Sequence, residues 1–153
     1  MPDPIASASE LTVRYGPHLV LDRATVAIGE GERIGLVGRN GAGKSTLLGM
    51  VSRLMGMDKG TVTVDGLDVT GTPSDVLAKR LAVLRQDNHM TARLTVRDLV
   101  GFGRYPYSKG RLTPEDRVHI DTAIGYLHLT ELAERYLDEL SGGQRQRAFV
   151  AMV

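Results

Sequence analysis

The sequence predicts an α/β fold: an antiparallel β subdomain, an α/β core built around one glycine-rich loop, and a helical subdomain. Three observations carry this prediction. Stretches within residues 11–66 alternate apolar and polar side chains with period two, the pattern of half-buried strands. The run "GRNGAGKST" (38–46) sits between an apolar stretch and a helically spaced one. Beyond Gln86 the spacing turns helical, with N-cap signals at Thr95 and Thr113.

The elements follow in order. "LTVRY" (11–15) reads as a first strand and "LDRATVAI" (21–28) as a weaker second one, before "RIGLV" (33–37) as a third. Residues 43–55 place Leu47, Val51, Leu54 and Met55 on one helical face, and Gly56 is expected to end that helix. "TVTVDG" (61–66) alternates again and closes on Asp65-Gly66, a hairpin signal. "LAVLRQ" (81–86) is a short apolar run expected to be a buried strand. Thr95 with Asp98 opens a helix through "VRDLVGF", and Thr113-Pro114-Glu115 opens another. Val118, Ile120, Ile124 and Leu127 are the expected buried stripe of the latter, and "GRYPYSKGRL" (103–112) is a loop between the two. The expected organisation is 1–87 for the β subdomain and loop-bearing core, 88–140 for the helical subdomain, and 141–153 for a last helix.

Composition excludes several classes. A net charge of +1 with 24% charged residues is that of an ordinary globular chain and gives no reason to propose nucleic acid as a partner. There is no cysteine, hence no disulfide framework and no thiolate metal site. "MPDPIASASE" lacks the features of a signal peptide, and no run approaches the ~18 apolar residues of a membrane span. His18, His89, His119 and His128 lack metal-ligand spacing, and Arg145 and Arg147 read as a solvated helix face.

The chemistry concentrates in the glycines. Gly38, four residues, then Gly43-Lys44-Ser45 match G-x-x-x-x-G-K-[ST]. Glycine lets the backbone approach phosphate oxygens, and the N–H groups of the loop and of the following helix's first turn are expected to point at the anion with the helix dipole behind them. Lys44 brings a point charge to the β- and γ-phosphates, and the Ser45 hydroxyl suits Mg²⁺. A second glycine pair stands in "LSGGQ" (140–144), where Ser141 and Gln144 form a capping box. Capping alone does not explain Gly142 and Gly143, since glycine inside a helix costs about 1 kcal/mol relative to alanine. Bare main chain at a helix start is what an anion requires.

Together, Leu140-Ser141-Gly142-Gly143-Gln144 and the loop at 38–46 resemble the nucleotide-binding domain of ABC transporters, within the P-loop NTPase fold. The resemblance runs through the whole chain and implies ATP and Mg²⁺ as cofactors. It implies that Gly38, Asn40, Gly41, Ala42, Gly43, Lys44, Ser45 and Thr46 hold the nucleotide, with Tyr15 stacked on the adenine. It implies that Gln86 reaches Mg²⁺ and the attacking water, so that Ser45 and Gln86 are the metal residues. Ser141, Gly142, Gly143 and Gln144 are implied to lie against the γ-phosphate held by a second ATPase subunit, a homodimer. Lys44, Gln86, Ser141 and Gly143 are the implied catalytic set.

The family's magnesium aspartate, catalytic glutamate and switch histidine follow the signature helix. Asp138-Glu139 is preceded by only two apolar residues and reads as surface acid. The chain is therefore expected to be the N-terminal portion of a longer ATPase, with later strands of the core absent, binding ATP without hydrolysing it. An unpaired core edge is expected to favour aggregation. Residues 94–117 are similar to the helical subdomain of iron–siderophore importers, with haem and cobalamin importers close behind. The implied setting is the cytoplasmic face of the membrane, peripherally attached, with transmembrane permease subunits as direct partners and a substrate-binding protein as an indirect one. Two other readings remain open: a soluble ABC ATPase of DNA repair or translation, and a non-catalytic nucleotide-binding module.

Overall fold

A computed structural model describes residues 3–86 and 92–153. His89 and the expected boundary after residue 87 lie outside them. The chain divides into two units, Met1–Leu81 and Ala82–Val153.

In the first unit, strand β1 (Ala6–Tyr15) lies between β2 (His18–Ile28) and β3 (Lys59–Val64), and β3 continues to β4 (Leu67–Asp68). All pairings are antiparallel, in the order β2-β1-β3-β4. Ala8, Leu11, Val13, Val62 and Val64 point inward and close over Met50, Val69 and Leu77. Ala8 and Leu11 cannot share a face of a regular strand, because the side-chain period is two. A bulge at Glu10, with φ 54, reverses the parity between them. Gly60 on β3 matches that bulge: it has φ +106, and a Cβ there would stand 2.7 Å from the Ser9 carbonyl oxygen. The parity change is why periodicity identifies only the 11–15 part of a strand that begins at Ala6. Asp65 and Gly66, at φ 50 and 74, form the expected hairpin turn into β4.

Helix α1 (Lys44–Val51) is shorter than the sequence suggests. The Ser52 hydroxyl donates to the Leu48 carbonyl at 2.7 Å, Arg53 turns left-handed at φ 58, and the Leu54 and Met55 amides both fold back onto the Gly49 carbonyl. Local capping thus ends the helix well before Gly56, and Leu54 faces solvent instead of joining the expected stripe. A short helix α2 (Ser74–Leu77) seats Leu77 in the core.

Two expected strands are not formed. Residues 33–37 and 81–86 join no ladder among the described residues. Ile34, Leu36 and Val83 are exposed and Val37 is 91% exposed. Apolar runs set which side chains favour burial, but a strand exists only where a neighbour supplies its hydrogen bonds.

The second unit contains α3 (Val96–Phe102), α4 (Tyr105–Ser108), α5 (Pro114–Tyr126) and α6 (Gly142–Met152), with 3-10 turns at Thr130–Leu132 and Leu137–Glu139. Both expected N-caps are present, with Asp98 and Asp116 completing capping boxes at Thr95 and Thr113. Val96, Leu99, Ile120, Ile124, Leu129, Leu137 and Phe149 form the core. Ile120 and Ile124 are buried as the spacing predicts, whereas Val118 is 64% exposed. Residues two apart on a helix do not face the same way, so Val118 cannot share the stripe of Ile120.

Candidate nucleotide-binding site

The first unit carries the glycine-rich loop on its surface. Residues 38–42 are exposed, while Gly43 is buried at the N-cap of α1 with φ 83. A Cβ on Gly43 would lie 2.9 Å from Leu21 Cδ2 and 3.3 Å from the Val20 carbonyl oxygen. Strand β2 therefore presses directly under the helix start, and glycine is required for both backbone angle and space. The Leu47 amide donates to the Gly43 carbonyl at 2.8 Å as the first bond of the helix. The amides of Lys44, Ser45 and Thr46 precede it and have no acceptor within the helix.

Those amides set α1 apart from α3, α5 and α6. Each of the latter is closed by a side-chain capping box. The N-cap of α1 makes no side-chain cap bond, and its first turn holds no acidic residue. The helix dipole there is uncompensated by the chain's own carboxylates, which favours an external anion. Lys44 Nζ donates to the carbonyls of Gly38 and Arg39, both at 2.8 Å, and so stands over the loop. Ser45, in the same first turn, is exposed. Its hydroxyl is a hard oxygen donor of the kind Mg²⁺ takes alongside phosphate oxygens and water.

Tyr15 ends β1, and the turn at Gly16 leads into the strand whose Val20 and Leu21 underlie Gly43. The Tyr15 hydroxyl donates to Met55 Sδ at 3.8 Å, and the residue is 49% exposed. A partly exposed aromatic ring thus belongs to the same hairpin that supports the loop.

The second unit carries the remaining expected residues. Gln86 is exposed. Ser141 caps α6: its hydroxyl accepts from the Gln144 amide at 3.3 Å, and Gln144 Oε1 accepts from the Ser141 amide at 2.9 Å. Ser141, Gly142 and Gly143 are all exposed, and a Cβ on either glycine would meet nothing within 4 Å. These glycines satisfy no packing demand among the described residues. The Asp138 and Glu139 side chains are exposed in a 3-10 turn, in keeping with surface acid.

The sequence profile of the ABC transporter family matches residues 21–153. The chain belongs to the ABC transporter family. Among curated relatives it is 50% identical over 140 residues to the petrobactin import ATP-binding protein YclP of Bacillus subtilis, covering 92% of this chain and 56% of the relative. It is 64% identical over 118 residues to the petrobactin import ATP-binding protein FatE of Bacillus anthracis, covering 77% and 47%. It is 40% identical over 146 residues to the ferric enterobactin transport ATP-binding protein FepC of Escherichia coli, covering 94% and 54%. This ABC-family chain therefore spans about half the length of the curated relatives it matches. Its fold is that of ABC ATPase domains: it superposes on an ATP-binding cassette of an ABC transporter with TM-score 0.83 at 21% identity, over 99% of this chain and 64% of the other. A second ATP-binding subunit of an ABC transporter gives TM-score 0.81 at 21% identity, over 97% and 61%.

Some site-supporting residues of this ABC-family chain are invisible to motif reading. Leu21 and Met55 are ordinary apolar residues in sequence, and only the packing shows one beneath the loop and the other against Tyr15. Among the described residues no group of three or more His, Asp or Glu side chains could hold a metal. No helix among them is long and apolar enough to cross a membrane.

Proposed function

We propose that this chain is the nucleotide-holding part of an ATP-driven import subunit for ferric siderophores. The observation that carries the reading is the start of α1, where uncapped amides and the lack of a first-turn acid stand beside Lys44 held over the loop, an arrangement suited to an anion. Gly38, Asn40, Gly41, Gly43 and Thr46 would offer main chain to the phosphates, Lys44 its charge, and Tyr15 a ring for the base, whereas the Ala42 amide, expected to join them, donates to the Arg39 carbonyl at 3.2 Å. Ser45 would hold Mg²⁺, which would supply charge neutralisation at the β- and γ-phosphates. Ser141, Gly142, Gly143 and Gln144 of a second copy would offer a helix start to the γ-phosphate from the opposite side, placing donors where charge develops. We propose further that this stretch binds Mg-ATP without turning it over, a reading that the exposed position of Asp138 and Glu139 in a 3-10 turn supports.

The relatives that serve petrobactin import and ferric enterobactin transport support siderophore uptake as the process. In that setting the subunit lies peripherally on the cytoplasmic face, with permease subunits as its membrane partners and a substrate-binding protein acting through them.

Calorimetric titration with Mg-ATP tests the site. Lys44→Ala removes only bonds to exposed loop carbonyls, so the fold should persist while affinity falls at least about tenfold, equivalent to ~1.4 kcal/mol. Equal affinity in the variant would overturn the reading. A turnover of ~1 s⁻¹ or more, ordinary for an enzyme, from the 153-residue chain alone would contradict binding without hydrolysis.

A further inference from the structure

The stretch Arg93–Val96 is fastened to the lead-in of α6. Thr95 and Tyr136 form an isolated antiparallel bridge. The Leu137 amide donates to the Leu94 carbonyl at 2.9 Å, and the Val96 amide donates to the Arg135 carbonyl at 3.0 Å. Arg93 adds a side-chain clasp: its guanidinium carbon stands 4.0 Å from the centre of the Tyr136 ring, with nitrogens 3.9 Å from Asp138 and Glu139 carboxylates. The Tyr136 amide donates to Glu139 at 3.2 Å, Leu137 is buried, and Ser141 follows with its own capping box.

We propose that Arg93 is a positioning residue: its clasp on Tyr136 makes residues 92–95 and 136–141 move as one piece, so that Ser141 and Gly143 are aimed by the Arg93–Thr95 stretch. The proposal rests on the reading of Ser141–Gly143 as donors to a nucleotide. A planar guanidinium stacks on a tyrosine ring in a way an ammonium does not reproduce. The ion pairs are solvent-exposed and contribute little to stability. Nothing in the core depends on them, which leaves position as the role of the clasp.

The experiment uses the full-length ATPase with its permease and compares Arg93→Ala, Arg93→Lys and Tyr136→Phe. In Arg93→Ala, kcat should fall about tenfold with KM and the Mg-ATP Kd within twofold of the parent, a loss confined to the transition state. Amide exchange at residues 141–144 should quicken several-fold in the same variant. Tyr136→Phe keeps the ring and should match the parent in both readouts, whereas Arg93→Lys should retain less than half of the parental kcat. Parental kcat and exchange in Arg93→Ala would overturn the proposal. So would a proportional rise in KM with a lowered Tm, the mark of a structural loss. If the parent fails to bind Mg-ATP at all, the functional reading fails, and the exchange comparison still decides the clasp.

Discussion

Arg104 Nε donates to Asp116 Oδ1 across 2.9 Å, and Asp116, 4% exposed, is the buried charged side chain among the described residues. The same carboxylate accepts from the Thr113 amide at 3.0 Å and the Thr113 hydroxyl at 2.8 Å. Arg104 also lies over the Tyr107 ring at 4.1 Å. One buried carboxylate thus joins the capping box of α5 to the turn that carries α4.

These contacts predict an acid-sensitive limb. The Thr113 amide, then Arg104, then the Thr113 hydroxyl hold Asp116 in its charged form and lower its pKa to about 2. Because the folded value lies below the unfolded value of about 3.9, the contribution is fully present above that value and is lost as pH falls towards 2. Asp116→Asn should flatten the stability profile between pH ~4 and ~2, read by circular dichroism during acid titration. An unchanged slope would contradict the assignment.

Gly43→Ala is expected to damage both fold and site. Alanine at φ 83 carries the left-handed penalty of roughly 1–2 kcal/mol, and its methyl would meet Leu21 at 2.9 Å. Thermal unfolding should show a Tm lowered by several degrees, with weakened Mg-ATP binding alongside. A parental Tm would show that β2 yields freely beneath the loop.

Ser141→Ala removes the hydroxyl that accepts from the Gln144 amide. Loss of such a cap costs about 1 kcal/mol. Amide exchange in the first turn of α6 should quicken while residues of α3 keep their protection. Ser141→Asp preserves the cap and should restore protection, but it places a negative charge where a phosphate is proposed, so nucleotide-dependent pairing of two copies should not return.

Two glycines should respond oppositely to alanine. Gly60→Ala places a methyl 2.7 Å from the Ser9 carbonyl oxygen at φ +106, which should unfasten β3 from the β1 bulge and lower Tm. Gly125 lies inside α5, and a methyl added there would meet nothing within 4 Å. Alanine at that position should stabilise by ~0.4–1 kcal/mol through the unfolded state. Differential scanning calorimetry of the pair checks both signs.

Much of the fold was legible from short-range chemistry. Thr95, Thr113 and Ser141 each cap a helix as their spacing to Asp98, Asp116 and Gln144 predicts, because a cap is made by residues three apart. The turn at Asp65-Gly66 was legible for the same reason. Ile34, Leu36 and Val83 misled, since an apolar run states a preference for burial without naming the strand that would satisfy it. Leu54 misled because Ser52 and Arg53 end α1 before the periodic pattern stops.

The amino-acid order alone determined where the glycine-rich loop lies and which helices are capped, since glycine angles and hydroxyl caps act within a few residues. Only the folded molecule decided that Leu21 supports Gly43, that Gly60 answers the bulge at Glu10, and that Arg93 clasps Tyr136. Each joins residues far apart in the chain, and their meeting depends on strand register and helix packing that no local pattern encodes.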